Sequence, residues 1–305
     1  MKGARSMSSV ATSVSNRSRL LSEEPEFVVE TIPSTGFGVV EKKLTPWEQL
    51  YNLGYVRKIF LLIIFAAVWQ VYGTWLANPL LFPTFVQTLD AFWQGISSGE
   101  LIARTWGSLR VLLIGYALGI FLAGILTLLA ITTRLGNDFL ESVTAMFNPL
   151  PAIALLPLAL IWFGLGDGSL IFVLIHSVIW PVALNTHSGF QAVSNTMRMV
   201  GRNAGLKNFR YVSSIMIPAA SCSIITGFKI GWAFSWRTLI AAELVFGVSS
   251  GSGGLGWFIY LAKNNLETAQ MFAGLLTLIL IGLFVETVIF RQIEACTVRK
   301  WGMQQ

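Results

Sequence analysis

Residues 201–218 read Gly-Arg-Asn-Ala-Gly-Leu-Lys-Asn-Phe-Arg-Tyr-Val-Ser-Ser-Ile-Met-Ile-Pro, a polar and basic stretch in a chain otherwise made of long apolar runs. We expect a short helix that ends at Gly205 and a second short helix that stops before Pro218. A basic side chain at the centre of a bilayer costs about 2.5–3.5 kcal/mol, so this stretch is excluded from the hydrocarbon. It therefore predicts a structured loop between two membrane spans. Such a loop is a docking surface for a cytoplasmic protein or, alternatively, a solvated loop whose charges only set the topology.

The composition supports the membrane assignment. The chain has 305 residues, of which 54% are hydrophobic and only 12% are charged. This combination is typical of a multi-span membrane protein and not of a soluble domain. The net charge of +6 could suggest nucleic acid as a partner, but retention of Lys and Arg on one side of a bilayer explains it better, so we expect no nucleic-acid binding.

The apolar runs predict an all-α membrane protein with six transmembrane helices. We expect residues 1–43 to be a disordered tail, 44–56 an interfacial helix, 57–293 the transmembrane domain and 294–305 a short tail. The six expected spans are residues 57–77, 107–131, 139–162, 169–189, 222–247 and 269–291. Between the first two spans, apolar residues at helical spacing over residues 82–96 predict an amphipathic helix on the outer face.

The distribution of basic residues predicts the orientation. One side would hold Lys2, Arg5, Arg17, Arg19, Lys42, Lys43, Arg57, Lys58, Arg134, Arg198, Arg202, Lys207, Arg210, Arg291, Arg299 and Lys300. The opposite loops hold only Arg104 and Lys263. This bias places both termini and the loop 190–221 in the cytoplasm. The two cysteines, Cys222 and Cys296, would then also lie on the cytoplasmic side, where thiols stay reduced.

Prolines interrupt the third span. Pro149, Pro151 and Pro157 are expected to break its helix inside the membrane. The freed backbone groups must then be satisfied by neighbouring helices or by water in a cavity. Broken helices often line transport pathways, although proline is also common in ordinary spans.

The fifth span contains ionisable residues, which are functional candidates inside a membrane. At 100° per residue, four residues lie on one stripe of the helix, and Arg237 lies beside it. The four residues are Lys229, Trp232, Trp236 and Glu243. Together with Arg110 of the second span, these residues are candidates to line a water-filled path. Alternatively, Lys229 extends toward the membrane surface, and Glu243 pairs with Arg237 or Arg110. His176 of the fourth span is interpreted as a packing residue with its hydrogen bonds satisfied.

The spacing of the basic loop resembles the coupling-loop motif of ABC importer permeases, Glu-Ala-Ala-x3-Gly-x9-Ile-x-Leu-Pro. Gly205, Ile215, Ile217 and Pro218 occupy its Gly, Ile, Leu and Pro positions, whereas residues 199–201 depart from its first three. In that family this loop inserts two short helices into a groove of the ATPase subunit. The resemblance implies a coupling loop over residues 191–221, with these ATPase-coupling residues: Gly201, Arg202, Asn203, Ala204, Gly205, Leu206, Lys207, Arg210, Ile215 and Pro218.

Two further runs resemble the nitrate, sulfonate and taurine permeases. The first begins at Pro149 and ends with Trp162-Phe163-Gly164, and the second is Trp236-x-Thr-Leu-Ile-Ala-Ala-Glu243. Arg237 occupies a position that those proteins fill variably. The resemblance covers about residues 57–301.

The resemblance implies a permease subunit of an ABC importer in a bacterial inner membrane, alternating between outward and inward openings. Its expected partners are cytoplasmic ATPase subunits, a second permease copy, a periplasmic solute-binding protein and the lipid bilayer. ATP and Mg²⁺ would be bound by the ATPase and no cofactor by this chain, since the glycine-rich run 247–256 lacks the Gly-Lys-Ser/Thr of a phosphate loop. Basic residues in the expected path favour an anionic substrate, and the family implies nitrate, bicarbonate, taurine, sulfonates or aromatic carboxylates.

Two other classes of function stay open. A self-sufficient secondary carrier or channel for a small anion would show inverted repeats and paired ionisable relays, and it would transport without an ATPase. A membrane enzyme would need a metal or nucleophile constellation, which two scattered histidines and two cysteines do not obviously supply.

Overall fold

The computed structural model describes residues 53–206, 208–246 and 253–297, and these ranges contain helices and no strand. The expected tail 1–43 and the interfacial helix up to residue 52 lie outside the described residues. The chain divides into two units, residues 1–59 and 60–305, and the packing described below belongs to the second unit.

The helices are numbered in chain order. They are α1 Gly54–Leu76, α2 Phe85–Ser97, α3 Glu100–Thr132, α4 Arg134–Phe147, α5 Leu156–Phe163, α6 Asp167–Gln191, α7 Asn195–Asn203, α8 Asn208–Tyr211, α9 Ile217–Ala219, α10 Ser221–Phe246, α11 Leu255–Asn264, α12 Thr268–Phe284 and α13 Arg291–Thr297. A 3₁₀ turn, Ala152–Leu155, precedes α5, and π turns at Val212–Met216 and Val285–Phe290 precede α9 and α13.

Four helices are long and apolar enough to cross a membrane: α1, α3, α6 and the continuous stretch Thr268–Thr297. Two bent pairs bring the number to as many as six, namely α4 with Ala152–Phe163, bent by 88°, and Val212–Ala219 with Ser221–Val245, bent by 69°. The described part of the chain is therefore all-helical, and its apolar helices are those of a multi-pass membrane protein. The expected second span, 107–131, is part of a longer helix of 33 residues, α3.

The amphipathic helix between the first two spans is confirmed as α2. Thr84 caps it, since the Thr84 side chain accepts from the Gln87 N–H while the Gln87 side chain accepts from the Thr84 N–H. The indole of Trp69 on α1 donates to the Pro83 carbonyl, 3.0 Å away, and packs against Phe82, Phe85 and the α12 residue Phe272. These contacts fix α2 between α1 and α12.

Helix α6 lies at the centre of the described packing, against α3 on one side and α10 on the other. Glycines permit the close approach to α3: a Cβ at Gly115 would lie 2.6 Å from the Leu174 Cβ, and one at Gly119 would lie 2.6 Å from the Val178 Cβ. On α10, a Cβ at Gly227 would lie 3.0 Å from the Asn185 Cβ. Small residues at helix contacts are the usual means of close packing inside membranes.

The third expected span is broken between α4 and α5, but Pro157 does not break it. Pro157 lies in the first turn of α5. Backbone N–H groups in a first turn have no acceptor within the helix, so a proline there removes no helical hydrogen bond. The break comes from Pro149 and Pro151, which separate α4 from the 3₁₀ turn, and Pro151 itself is extended with ψ of 122°.

The second helix of the basic loop does not stop before Pro218, contrary to the expectation from sequence. The chain widens into the π turn, in which the Ile217 N–H donates to the Val212 carbonyl, and Pro218 lies in the first turn of α9. Proline is tolerated there because it needs no N–H in a first turn. The sharp bend follows at Ala220.

Candidate functional site

The basic loop is built around a left-handed glycine. Gly205 has φ of +70°, and it follows the C-cap residue Ala204 of α7. Its N–H donates to the Arg202 carbonyl at 3.0 Å, and the Leu206 N–H donates to the Gly201 carbonyl at 3.1 Å. This pair of bonds is a Schellman motif, which requires a residue that tolerates positive φ. The glycine landmark in the sequence therefore has a local structural cause.

A second glycine lets the two halves of the loop approach. A Cβ at Gly201 would lie 2.9 Å from the Tyr211 Cε2 and 3.0 Å from the Ile215 Cγ1. Ile215 thus packs on α7, with the Tyr211 ring beside it. The departure from the motif at residue 201 is explained by this bulky neighbour.

Arg198 binds the loop to the end of α6 through hydrogen bonds. From sequence, this residue is predicted only to lie on the cytoplasmic side. Its guanidinium donates to the Phe190 carbonyl at 2.8 Å and to the Val193 carbonyl at 3.1 Å. Cationic donors at a helix C-terminus satisfy carbonyls that lack helical partners. Helix α7 is therefore held firmly to α6.

The outer surface of the loop combines basic and apolar groups. Arg202, Asn203, Ala204, Gly205 and Arg210 are exposed, Leu206, Ile215 and Pro218 are half-buried, and Lys207 lies outside the described residues. Three apolar side chains of α7 are exposed as well, with Met197 at 45%, Met199 at 56% and Val200 at 53%. Exposed apolar side chains beside positive charge are suited to docking a protein.

Glu243 connects three helices. Its side chain is 2% exposed, and its carboxylate accepts from the Ser108 hydroxyl of α3, at 2.8 and 2.9 Å, and from the Gly256 N–H of α11, at 2.7 Å. The Ser108 oxygen in turn accepts from the Leu255 N–H at 2.8 Å. Among the described residues the ion pairs are Arg104–Glu100 and Lys229–Glu294, so the alternative pairing of Glu243 with Arg237 or Arg110 does not occur there.

The other residues of the expected stripe have separate surroundings. Trp232 stacks parallel to Trp236, with ring centroids 6.5 Å apart, and both rings pack on the core between α3, α5 and α6. Lys229 forms an ion pair with Glu294 of α13, and Arg110 is exposed on α3. The structure therefore does not bring the stripe together with Arg110 as one lining, and these roles in a path stay predictions.

Arg237 lines a cavity of about 350 Å³, and residues at the break in the third span line the same cavity. Asn148, Pro149 and Pro151 line it from the break, and His176 lines it from α6. The expectation that the hydrogen bonds of His176 are satisfied is not met within the part of the chain described, where neither ring nitrogen has a partner. Only its ring contacts with Phe147 and Trp180 match a packing role.

The end of the proline-rich run lies away from this cavity. Trp162 and Phe163 are exposed, at 60% and 56%, and both contact the Phe172 ring. Gly164 follows with φ of +73°, and its carbonyl accepts from the Ser169 hydroxyl. No group of three or more His, Cys, Asp or Glu side chains within the described ranges has the arrangement of a metal site.

Comparisons with known proteins agree on one family. Residues 115–293 match the family model described as the binding-protein-dependent transport system inner membrane component. The putative aliphatic sulfonates transport permease protein SsuC of Bacillus subtilis is 28% identical over 253 residues, which cover 83% of this chain and 89% of that protein. The nitrate import permease protein NrtB of Synechocystis is 28% identical, with 80% and 90% covered. The taurine transport system permease protein TauC of Escherichia coli is 28% identical, with 74% and 82% covered.

Proposed function

Because this chain belongs to the family of binding-protein-dependent transport system inner membrane components, we propose that it is the permease subunit of an ATP-driven ABC importer. In this proposal six spans cross a bacterial inner membrane, with the two bent helix pairs counted as one span each and both termini in the cytoplasm. Two copies of the permease form the path, and a periplasmic solute-binding protein delivers the substrate. The family is one of transport subunits, and hydrolysis is assigned to a separate chain.

The observation that carries the proposal is the form of the coupling loop. A Schellman turn at Gly205 joins two short helices, on which Met197, Met199, Val200, Arg202 and Arg210 are exposed. We assign this surface to the cytoplasmic ATPase, which binds ATP and Mg²⁺. A groove with apolar walls and negative charge at its rim is the complement that such a surface needs.

Movement of the ATPase would reach the membrane spans through Arg198. Its two hydrogen bonds join α7 to the C-terminal end of α6, so a displacement of the loop acts on the central helix. ATP binding and hydrolysis then shift the spans between outward and inward openings. The two states need to differ by only a few kcal/mol for nucleotide to switch them.

The proposed substrate is a small anion. The named relatives are permeases for aliphatic sulfonates, nitrate and taurine. Arg237 supplies a positive charge at a cavity of about 350 Å³ and forms no ion pair within the described residues. A self-sufficient carrier for the same anion is the alternative, and no observation on this chain favours it.

A glycine replacement tests the coupling role. Valine at Gly205 would force a β-branched residue into the left-handed region, at a cost of about 1–2 kcal/mol, and would disturb the turn between the two helices. We expect tagged Gly205→Val permease to retain much less ATPase on purification in mild detergent than the parent does. In proteoliposomes supplied with binding protein and ATP, we expect uptake of labelled taurine or nitrate to fall with it.

Gly124→Ala is the matched control, because a Cβ at Gly124 of α3 has no neighbour within 4 Å. It should capture ATPase as the parent does. ATPase capture and coupled uptake at parental levels by Gly205→Val would contradict the coupling role. Uptake by the parent permease without any ATPase would instead show that the protein is a self-sufficient carrier.

A further inference from the structure

Three neighbouring cavities follow one side of α6. The first holds Arg237 and has a volume of about 350 Å³, the second about 320 Å³ and the third, beside the coupling loop, about 570 Å³. Asn148 and Pro149 line both the first and the second, and His187 lines both the second and the third. The shared residues place the cavities in series between the broken span and the coupling loop.

One face of α6 runs along the whole series. Five residues on it line the cavities: His176, Trp180, Leu184, His187 and Gln191. At 100° and 1.5 Å per residue, they occupy an arc of about 80° and a length of about 22 Å. That length is about three quarters of the hydrocarbon thickness of a bilayer, which is about 30 Å.

Polar atoms without partners concentrate along this series. Within the described residues seven buried side-chain N or O atoms lack a hydrogen-bond partner, and five of them belong to residues that line these cavities. They are the Nδ1 and Nε2 of His176, the Nε1 of Trp180, the Oγ1 of Thr144 and the Nδ1 of His187. Since buried polar groups in folded proteins are almost always paired with protein or water, these atoms need partners from beyond the described residues, and water or a ligand in the cavities can supply them.

The charges at the two ends of the series suit an anion. Arg237 lies at the first cavity, and Arg198 and Arg202 line the third. Glu141 is the carboxylate of the second cavity, and its Oε1 accepts from the Asn137 amide at 3.0 Å. Positive groups therefore lie at both ends, with hydrogen-bonding side chains and one carboxylate, already paired with Asn137, between them.

We propose that this face of α6 forms one wall of the substrate path, along which an organic anion passes from Arg237 to the coupling loop. The inference rests on the proposed function and adds to it a set of residues, His176, Trp180, Thr144 and His187, that pair with the substrate as it moves. These residues come from two elements, α4 and α6, so the path does not depend on the fifth span alone.

The first cavity selects an anion with an apolar body over a bare inorganic ion. Its wall is mostly apolar, with Trp180 and Phe234 presenting rings and Arg237 the one positive charge. An organic sulfonate or carboxylate places its charged group against Arg237 and its carbon atoms against the rings. A nitrate ion has no apolar part to place against these rings, so it would gain no apolar contact there.

Cysteine accessibility tests the wall without requiring transport. In a Cys222→Ser/Cys296→Ser background, Ser177→Cys and Leu184→Cys place thiols on the first and second cavities. Each is treated, in membrane vesicles containing permease and ATPase, with 2-sulfonatoethyl or 2-(trimethylammonio)ethyl methanethiosulfonate. The thiolate forms a mixed disulfide and releases methanesulfinate. After normalisation to a free thiol, we expect the anionic reagent to react about tenfold faster at position 177, and Arg237→Gln to abolish this preference. At position 184, beside the Glu141 carboxylate, we expect reaction with both reagents without a preference for the anionic one.

Two control positions define the face. Ala183 lies on α6 with no exposed surface, packed in the core, and Phe121 is 63% exposed on a part of α3 that lines none of the three cavities. Ala183→Cys and Phe121→Cys should react with neither reagent. Equal reaction at these controls, no charge preference at position 177, or no reaction at position 184 would contradict the proposal that this face of α6 lines the path.

Protection identifies the class of anion. We expect ethanesulfonate to slow modification of Ser177→Cys at a concentration about tenfold lower than nitrate requires, and equal protection by the two would overturn the organic class. These readouts use neither ATP nor uptake, so a negative result leaves the proposed import function standing. Conversely, loss of ATPase capture would remove the import function without changing the accessibility pattern.

Discussion

At the scale of single residues, Glu243 shows why an ionisable group persists inside an apolar helix. Its carboxylate accepts hydrogen bonds from an α3 hydroxyl and from an α11 backbone N–H, so it joins helices that are far apart in sequence. The sequence singled it out correctly as unusual, but its surroundings are those of a structural junction. Such a junction is stable only if every member is satisfied.

Replacing Glu243 should destabilise the protein strongly. Glu243→Ala leaves the Ser108 hydroxyl and the Gly256 N–H without their acceptor, and each unpaired buried donor costs about 1–3 kcal/mol. We expect a clear drop in the midpoint of thermal unfolding in detergent, measured by tryptophan fluorescence. Glu286→Ala, at an exposed position of the last span, is the control and should change little. An unchanged midpoint for Glu243→Ala would show that the junction contributes nothing.

The same junction explains two glycines of the run that resembles a phosphate loop. A Cβ at Gly254 would overlap the Glu243 carboxylate and the Ser108 hydroxyl, and a Cβ at Gly256 would lie 2.6 Å from the Glu243 Cβ. These glycines therefore serve close packing against a carboxylate. Residues 247–252 of the run lie outside the described part of the chain.

At the scale of elements, the packing of α3 on α6 depends on a stripe of small residues. Gly115, Gly119, Ala123 and Thr127 recur every fourth residue on α3 and are all buried. The two glycines face Leu174 and Val178 of α6 closely enough to exclude a methyl group. The sequence predicts both helices as membrane spans but does not reveal this contact, because glycine contributes nothing to an apolar periodicity.

A methyl group on this stripe should loosen the helix pair. In Gly119→Ala the added Cβ would lie 2.6 Å from the Val178 Cβ, so one helix must shift, and overpacking of this kind costs about 1–3 kcal/mol. We expect a lower unfolding midpoint and a smaller folded yield in detergent. Gly124→Ala, five residues further along α3 on an open face, should be neutral or slightly stabilising. Equal effects of the two changes would rule out the close contact as their cause.

At the scale of the whole molecule, the orientation in the membrane rests on the distribution of Lys and Arg. The described helices allow between four and six spans, depending on whether each bent pair crosses once. Six spans place both termini on one side, and the basic bias then makes that side cytoplasmic. The two native cysteines are both exposed, and they lie near the start of α10 and the end of α13.

These cysteines provide a topology measurement. We expect a membrane-impermeant maleimide to label Cys222 and Cys296 in inverted vesicles and not in right-side-out vesicles. In a Cys222→Ser/Cys296→Ser background, Ser98→Cys between α2 and α3 should show the reverse pattern. Labelling of the two native cysteines from opposite sides would require an odd number of crossings between them and would contradict the six-span arrangement.

The sequence by itself determined the membrane class, the amphipathic helix α2 and the position of the left-handed turn in the basic loop. Each of these depends on local quantities. Apolar length determines whether a helix can span a bilayer, periodicity determines which face is apolar, and only glycine adopts φ of +70° at residue 205 without strain. The residues that matter are therefore close together in the chain and can be identified there.

Only the tertiary structure decided what each polar residue meets. Ser108 and Glu243 are 135 residues apart, so their hydrogen bond depends on how α3 and α10 pack. The same holds for His176, which lines a cavity with Arg237 of another helix although its own sequence context is mostly apolar. The effect of Pro157 and Pro218 also depended on where each local helix begins, because proline disrupts a helix interior but not its first turn. Periodicity indicates which face of a helix is buried, whereas the partner on that face is chosen by packing across the whole molecule.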